Sequence, residues 1–385
     1  MKIEKLTLPD SAIDFLKSQG YEKLYPPQAD CVKSGLLDGK SILVSAPTAS
    51  GKTLIAMLAM LSYLSKNKGK VIYLSPLRAL AAEKFTEFKK LEKITIGKKI
   101  KAGISTGDFE NIEKNLEKSN ILILTNEKMD SIIRHGAEWI DDIGLVISDE
   151  VHLIGDESRG PTLEMILTHL KLLESKPQII GLSATITNSN EIADWLDCKL
   201  VKNDWRPVPL SEGVCDGGKV TMSDGETFEV KPSLRGIPID LGVQSVQNGG
   251  QSLVFAETRV RSKSLATKAA DVISQLLIKK ELTALEKTSK QILSENEHTE
   301  IVKTLATLVK KGVAFHHAGL NQKCREIVEK EFRKGTIKLL SSTPTLAAGV
   351  NLPARRVVIS NINRYNAKVG ANRPISVLEY KQLCG

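Results

Sequence analysis

Short, almost wholly apolar segments recur along the first half of the chain, and longer segments with helical periodicity separate them. The apolar segments are Ser41–Ser45, Lys70–Ser75, Asn120–Thr125, Leu145–Ser148 and Gln178–Ser183. Helical patterns such as Lys52–Lys66 and Ala79–Leu91 lie between them. Strands that are apolar throughout are typical of a parallel sheet covered by helices on both faces. The pattern therefore predicts βαβ units, in which ligands bind at the carboxyl ends of the strands.

This alternation stops between about Asn203 and Gly250, where prolines and glycines accumulate. We expect a domain boundary near Asp204, with one domain over residues 1–203 and a second over 204–385. A small hairpin is predicted at Lys219–Met222 and Thr227–Val230. The βαβ pattern then returns, with strands predicted at Ser252–Ala256, Val313–His316, Ile337–Ser341 and Val357–Ile362 and a long helical region over Arg261–Lys311.

The composition is that of a globular protein large enough for two cores. The chain has 385 residues and a net charge of +9, which suits a polyanionic partner without identifying one. No apolar run is long enough to cross a bilayer and the N-terminus lacks a secretory pattern, so we expect a cytoplasmic protein with no membrane partner. The five cysteines are scattered without a C-x-x-C pair. That spacing disfavours a zinc or iron–sulfur site and favours buried, reduced thiols.

A loop of small residues follows the first apolar segment and leads into a helix. Its residues are Ala46, Pro47, Thr48, Ala49, Ser50 and Gly51, followed by Lys52 and Thr53. This is the phosphate-binding loop pattern, with Ala46 in the place of the usual first glycine. Lys52 would neutralise the β- and γ-phosphates of ATP, and the Thr53 hydroxyl would ligate Mg²⁺. The alternative, a turn that only caps the helix, is disfavoured because strand, loop and helix are in register.

An acid pair, Asp149 and Glu150, stands at the carboxyl end of the strand Leu145–Ser148 and is followed by Val151 and His152. Asp149 would hold the Mg²⁺ ion, and Glu150 would orient and deprotonate the attacking water. A solvated acid pair at a strand end is common. The phosphate loop in the same domain favours the functional interpretation, so we expect Lys52, Asp149 and Glu150 to be the catalytic residues of an ATP hydrolase.

These two motifs, in this order and spacing, resemble those of superfamily 2 helicases of the DExH kind. Within that superfamily the chain looks most like the archaeal repair helicases, which are related to the superkiller RNA helicases and to the helicase half of DNA polymerase theta. The resemblance covers essentially the whole chain. It implies an α/β fold with two RecA-like domains of the P-loop NTPase type, each a parallel sheet flanked by helices.

The resemblance also implies nucleotide and nucleic-acid contacts in the first half. Pro26-Pro27-Gln28 is similar to the Q motif, in which Gln28 would read the adenine edge; a surface glutamine at a helix entry is the alternative. Arg78 and Thr125 lie in segments similar to motifs that hold the strand's backbone, and ordinary helix capping remains open for both segments. Arg159 would contact phosphate, although a solvated arginine explains it nearly as well.

Further motifs extend the resemblance into the second half. Ser183-Ala184-Thr185 is similar to motif III, so Ser183 and Thr185, with His152, would couple the nucleotide state to the grip on nucleic acid. Thr258, in the segment similar to motif IV, and Thr343, in the one similar to motif V, would contact the strand, and Gly349 and Asn351 would lie near the nucleotide. The pair His316 and His317 invites a metal interpretation, but no third ligand has suitable spacing.

The chain ends at Tyr380–Gly385, the run that opens motif VI in the resembling family, where an arginine pair follows. We therefore expect the chain to be truncated at motif VI, with an incomplete second domain, and to hydrolyse ATP slowly.

The function implied is an ATP-dependent 3′–5′ DNA helicase or translocase that moves on single-stranded or forked DNA in replication-fork repair, as a monomer. An RNA helicase of the same class remains open, because such motifs contact backbone rather than bases. For the truncated chain, a nucleotide-dependent clamp on nucleic acid with little turnover also remains open.

Overall fold

The computed structural model describes residues 1–107, 116–344, 352–366 and 370–384. The chain folds as two compact units, Met1–Pro209 and Leu210–Gly385. The first unit runs a few residues beyond the boundary predicted near Asp204. Asn203 and Trp205 explain this, because the Asn203 amide donates to Asp30 and the Trp205 ring packs on Tyr25.

A seven-stranded parallel sheet forms the centre of the first unit, with strand order β5-β6-β2-β7-β8-β1-β9. The strands of this unit, including the short antiparallel pair β3 and β4, are β1 (Ile42–Ser45), β2 (Lys70–Ser75), β3 (Thr95–Ile96), β4 (Lys98–Lys99), β5 (Ala102–Ser105), β6 (Ile121–Thr125), β7 (Ile143–Ser148), β8 (Gln178–Ser183) and β9 (Lys199–Lys202). The five predicted apolar segments are all strands of this sheet. The two edge strands β5 and β9 were not predicted, because they are only partly buried and therefore less apolar.

Helices cover both faces of this sheet. They are α1 (Asp10–Ser18), α2 (Pro26–Lys33), α3 (Lys52–Lys66), α4 (Arg78–Phe88), α5 (Asn126–His135), α6 (Gly160–Lys171) and α7 (Ser189–Trp195). Successive strand residues point to opposite faces, so Ile42 and Val44 join one core with α3, whereas Leu43 joins the other with α6. Burial on both faces is why these strands are apolar at every position.

The second unit also has a parallel sheet, of four strands in the order β14-β15-β13-β16. Its strands, with those of two small antiparallel sheets, are β10 (Gly213–Asp216), β11 (Lys219–Met222), β12 (Thr227–Glu229), β13 (Ser252–Phe255), β14 (Val313–His316), β15 (Leu339–Ser342), β16 (Arg356–Ile359), β17 (Asn363–Asn366) and β18 (Ala371–Pro374). The predicted hairpin is β11 and β12, which β10 extends to three strands. The α/β class predicted for both halves is confirmed.

The helices of the second unit are α8 (Ile237–Gln247), α9 (Arg259–Gln275), α10 (Lys279–Ser294), α11 (Glu300–Lys310), α12 (Gln322–Arg333) and α13 (Val377–Cys384). The long helical region expected over Arg261–Lys311 is helical in the structure. It is three helices, because Thr299 caps α11 with its side chain and Glu281 caps the start of α10. Of the cysteines, Cys31 and Cys324 are buried as expected, while the other three are only partly buried.

Candidate nucleotide-binding site

The small-residue loop joins β1 to α3 at the carboxyl edge of the first sheet. Ala49 and Gly51 adopt left-handed backbone conformations, with φ of 62° and 83°. Ala46 is not one of the left-handed residues; it is fully buried, and its N–H donates to the Ser183 carbonyl at the end of β8. An alanine therefore fits where the phosphate-loop pattern has a glycine, because the backbone here does not need glycine's freedom.

This loop has the properties of an anion-binding cradle. The first turn of α3 contains no acidic residue, and Gly51 at its N-cap offers no capping side chain, so backbone N–H groups are directed out of the helix end. The Ser50 hydroxyl is buried and has no hydrogen-bond partner within the described part of the chain. A buried unpartnered hydroxyl beside a helix N-terminus fits a ligand rich in acceptor oxygens, as a phosphate is.

Lys52 lies in the middle of this cradle. Its ammonium donates to the carbonyl oxygens of Ala46, at 2.9 Å, and Pro47, at 3.2 Å. Burial lowers the pKa of Lys52, and the negative charges of Glu150 and Asp149 act in the opposite direction. A lysine held by loop carbonyls and supported by two carboxylates is positioned to exchange those carbonyls for phosphate oxygens.

The acid pair lies at the end of β7, two strands from β1 in the same sheet. Asp149 is buried, and its carboxylate accepts from the Tyr73 hydroxyl at 2.6 Å and from the Glu150 N–H at 3.0 Å. Glu150 has a left-handed backbone, with φ of 50°, which is uncommon for a residue with a Cβ. A strained backbone persists only where the surrounding structure holds it in place, and such residues are concentrated at functional sites.

His152 connects Glu150 to the end of β8. Its Nδ1 accepts from the Ala184 N–H at 3.2 Å and lies 3.3 Å from the Ser183 hydroxyl. Because Nδ1 is an acceptor, the proton of the neutral ring is on Nε2, which lies 3.3 Å from a Glu150 oxygen. Burial, together with the charge of Lys52, lowers the pKa of His152 to about 4, so the ring is neutral at physiological pH. Of the motif III residues, Ser183 thus joins this link and Thr185 is half-buried just beyond it.

The Glu150 carboxyl is electrostatically costly in the folded protein. Burial, and secondarily the neighbouring Asp149 charge, raise the pKa of Glu150 to about 7 from its ordinary value of 4.5. The pKa of such a carboxyl is higher in the folded protein than in the unfolded chain. Its contribution to stability is fully present below the unfolded-state pKa, and it is lost as the pH rises through the folded-state pKa.

We therefore predict that Glu150→Gln raises the thermal stability of the ligand-free protein at pH 8, by about 1–2 kcal/mol once screening at the partly exposed side chain is allowed for. The gain should shrink as the pH falls through 7 and be small at pH 5, where both side chains are uncharged in the folded state. Thermal melts of both proteins between pH 5 and 8 measure this difference. A gain that does not change with pH would contradict the ionisation of Glu150 as its cause.

Two oxygens suited to Mg²⁺ lie at this edge. The Thr53 hydroxyl is in the first turn of α3, and the Asp149 carboxylate follows β7. Hydroxyl and carboxylate oxygens are the hard ligands Mg²⁺ prefers, and the ion completes its shell with phosphate oxygens and water. The donor set therefore fits the ion. The Thr53 hydroxyl accepts from the Lys84 ammonium of α4 at 2.7 Å.

Gln28 is buried against the phosphate loop. Its Oε1 accepts from the Tyr25 N–H at 2.7 Å, and its Nε2 donates to the Gly51 carbonyl at 3.1 Å. Each end of the amide therefore makes one bond to the protein. Oε1 keeps a second lone pair and Nε2 a second N–H, which are the groups that contact with an adenine edge would use. The Tyr25 ring, 4.6 Å from that of Trp205, is partly exposed next to it.

The predicted nucleic-acid contacts of the first unit follow strands of its sheet. Arg78 is exposed at the first position of α4, after β2. Thr125 is buried, and its hydroxyl caps α5 by accepting from the Lys128 N–H, as the alternative interpretation expected. Arg159 is half-buried before α6. Arg78 is thus the best presented of the three for contact with a phosphate backbone.

In the second unit, the predicted contacts follow two neighbouring strands. Thr258 is exposed after β13 and caps α9 by accepting from the Arg261 N–H, and Thr343 is buried after β15. Gly349 and Asn351 lie outside the described residues. The histidine pair is used within the unit, since His316 contacts Glu329 at 2.9 Å and His317 accepts from the Gly319 N–H.

Sequence reasoning did not find two residues of this site. Tyr73 holds Asp149, and Lys84 holds the Thr53 hydroxyl. A tyrosine hydroxyl in a strand that is otherwise apolar is a weak signal that a buried polar partner exists. Lys84 gives no such signal, because a lysine in a predicted helix is most often a solvated surface residue.

A phosphate-binding loop and an acid pair at the same edge of a parallel sheet are typical of P-loop nucleoside triphosphatases, and the first unit has this geometry. A model of the DEAD/DEAH box helicase family matches residues 25–192, and a model of the helicase conserved C-terminal domain matches residues 268–385. The chain belongs to the superfamily 2 helicases, as the motifs indicated.

Curated relatives named ATP-dependent DNA helicase Hel308 are similar over the full length of this chain. The relative from Methanocella arvoryzae is 45% identical over 386 residues, which cover 100% of this chain and 52% of the relative. The relative from Pyrococcus horikoshii is 43% identical with 51% of it covered, and that from Pyrobaculum calidifontis is 41% identical with 53% covered. The chain thus spans about half the length of these relatives.

Proposed function

We propose that this chain carries the ATP-driven motor of a 3′–5′ DNA helicase that acts on single-stranded or forked DNA in replication-fork repair. The observation that carries the proposal is the continuous contact path from Glu150 through His152 to Ser183 and Ala184. Because the Ser183 carbonyl also accepts from Ala46, this path joins the acid pair to the phosphate loop. Such a path would transmit a change at the nucleotide to other parts of the sheet edge.

In this proposal the residues of the first unit divide the work of hydrolysis. The loop Ala46–Gly51 would hold the phosphates through backbone N–H groups, and Lys52 would neutralise their charge. Thr53 and Asp149 would hold Mg²⁺, which supplies charge neutralisation at the transferring phosphoryl group when bound. Glu150 would take a proton from the attacking water, and its pKa near 7 is close to the value that suits a general base.

The same proposal assigns coupling to the histidine link. Protonation of Glu150, or a new hydrogen bond to it, would change the contact between its carboxyl group and His152 Nε2. The opposite nitrogen of the ring is held by the Ala184 N–H, so the change would be felt at Ser183 and Thr185. Gln28 would sense the nucleotide through its bond to the Gly51 carbonyl.

For the nucleic acid, we propose backbone contacts from Arg78, Thr125 and Arg159 in the first unit and from Thr258 and Thr343 in the second. The positive net charge supports a polyanionic partner. We further propose that the protein acts as a monomer in the cytoplasm. No helix in the described ranges is long and apolar enough to cross a membrane.

The test compares DNA with RNA directly. Binding of single-stranded DNA and RNA of one sequence, and ATP hydrolysis with and without each, should be measured at several salt concentrations. We expect DNA to bind more tightly and to stimulate turnover, with an affinity that falls by about 0.7 log units per phosphate contact for each tenfold rise in salt. Equal effects of RNA would contradict DNA specificity, and binding without stimulation would indicate a clamp instead of a motor.

A further inference from the structure

Lys84 lies at the candidate metal position, although no motif assigns it a role. Its ammonium donates to Thr53 Oγ1 at 2.7 Å, and only 12% of its side chain is exposed. It reaches the phosphate loop from α4, a helix that follows a different strand. Glu87, at 3.6 Å, and Glu83, at 4.0 Å, flank the same ammonium on α4.

The contact with Thr53 conflicts with metal ligation by the same oxygen. A hydroxyl that ligates Mg²⁺ directs a lone pair to the ion, at about 2.1 Å, and its proton elsewhere. An ammonium at hydrogen-bond distance from that oxygen would place two cations within a few ångströms of each other in a partly buried site, where their repulsion is strong. Thr53 can therefore serve Lys84 or the metal ion, but not both in this geometry.

The charges of the site support an exchange between the two cations. Lys52 and Lys84 stand with Asp149 and Glu150, and the charge of Lys84 acts on both Lys52 and Glu150. Glu83 and Glu87 add two carboxylates beside Lys84, and Arg206 adds a positive charge that acts on Lys52, so three cationic groups stand against four carboxylates. A divalent ion added beside Lys84 would give the site an excess of positive charge. An ion that replaces Lys84 at Thr53 would give no such excess, and the phosphates of a bound nucleotide would offset the charge that the ion adds.

We propose that Lys84 is an internal counter-ion of the metal site, which occupies the cation position on Thr53 and must be displaced when a divalent ion binds. The inference rests on the proposed ATP and Mg²⁺ site. Lys84 thereby sets a threshold for metal loading: the ion alone competes poorly with the tethered ammonium, and the ion brought with nucleotide phosphates competes well. Lys84 is a positioning residue in this scheme, because it acts through Thr53.

The experiment measures metal affinity directly. Mn²⁺ is used as the probe ion, and its dissociation constant is determined by electron paramagnetic resonance, with and without a non-hydrolysable ATP analogue. Lys84→Met keeps most of the side-chain stem and removes the charge, Lys84→Arg keeps a charge, and Lys90→Met removes an exposed charge nearby as the matched control. Thermal melts establish that each variant is folded.

We expect Lys84→Met to bind Mn²⁺ about tenfold more tightly, the factor that corresponds to about 1.4 kcal/mol. The gain should be largest without nucleotide, while Lys90→Met resembles the unmodified protein and Lys84→Arg restores weak binding. Unchanged or weaker Mn²⁺ binding by Lys84→Met would overturn the proposal. Binding of a fluorescent ATP analogue to the unmodified protein is measured separately, so a failure of the nucleotide site is distinguished from a failure of the cation exchange.

Discussion

Replacement of Lys52 by alanine is expected to weaken the binding of Mg²⁺·ATP by at least about 30-fold. The Lys52 ammonium is buried, and the only acceptors that the structure records for it in the described chain are the carbonyls of Ala46 and Pro47. When phosphate replaces these carbonyls, a charge-assisted bond would form in a partly buried site. Loss of one partner of such a pair costs about 2–5 kcal/mol, and each 1.4 kcal/mol is a factor of ten in affinity.

Isothermal titration calorimetry with a non-hydrolysable ATP analogue measures this loss. Lys5→Ala is a suitable control, because Lys5 is an exposed lysine of the same unit and its removal changes the net charge equally. The two variants should differ strongly in affinity and little in thermal stability. If Lys52→Ala bound the analogue as tightly as the control, the nucleotide site would have to lie away from the small-residue loop.

The parts of this site that could be predicted from the sequence are those whose residues are neighbours along the chain. The strand β1, the small residues after it and the helix that begins at Lys52 are contiguous, so one pattern describes all three. The same holds for the acid pair after β7. Burial on both faces makes these segments apolar at almost every position, which is the pattern that predicts strands of a covered parallel sheet.

Contacts between distant segments were not predictable in this way. Tyr73 and Asp149 are 76 positions apart, and Lys84 and Thr53 are 31 apart, so their meeting depends on the order of β1, β2 and β7 in the sheet. Gln28 shows a different limit. Its segment resembles the Q motif, but its two bonds to Tyr25 and Gly51 could be seen only once α2 was placed beside the loop.

For threonines at strand ends, the sequence is compatible with both a helix cap and a contact with the nucleic-acid backbone. Thr125 and Thr258 each accept from a backbone N–H three residues ahead, which is the geometry of a helix N-cap. A hydroxyl retains acceptor capacity and a proton after capping, so the capping role does not remove a contact with phosphate. The sequence pattern for a cap and that for a backbone contact are the same at such positions, and only Thr258 is exposed enough to present its hydroxyl directly.

Glu150→Gln is expected to lower ATP hydrolysis by about 10²–10⁴-fold, the usual contribution of a general base, with little loss of Mg²⁺·ATP affinity. The substitution removes the basic oxygen but keeps a carbonyl oxygen of the same shape near His152 Nε2, so the link to Ala184 can persist. In the proposed mechanism the deprotonated Glu150 carboxylate is the active form of the unmodified protein. Because the pKa of Glu150 is about 7 in the ligand-free protein, kcat/KM for ATP should rise from pH 6 to pH 8 and then level off.

Steady-state hydrolysis with saturating single-stranded DNA, measured beside binding of the ATP analogue, separates this effect from that of Lys52. Glu150→Gln should bind nucleotide and fail to turn it over, whereas Lys52→Ala should fail to bind. Asp149 supplies the reason for the difference. It is the proposed metal ligand, it remains in the Gln variant, and it is itself held by Tyr73. A Gln variant that kept a tenth or more of the rate would show that another group accepts the proton, and His152, with its pKa lowered to about 4 and its Nδ1 occupied, is poorly placed to be that group.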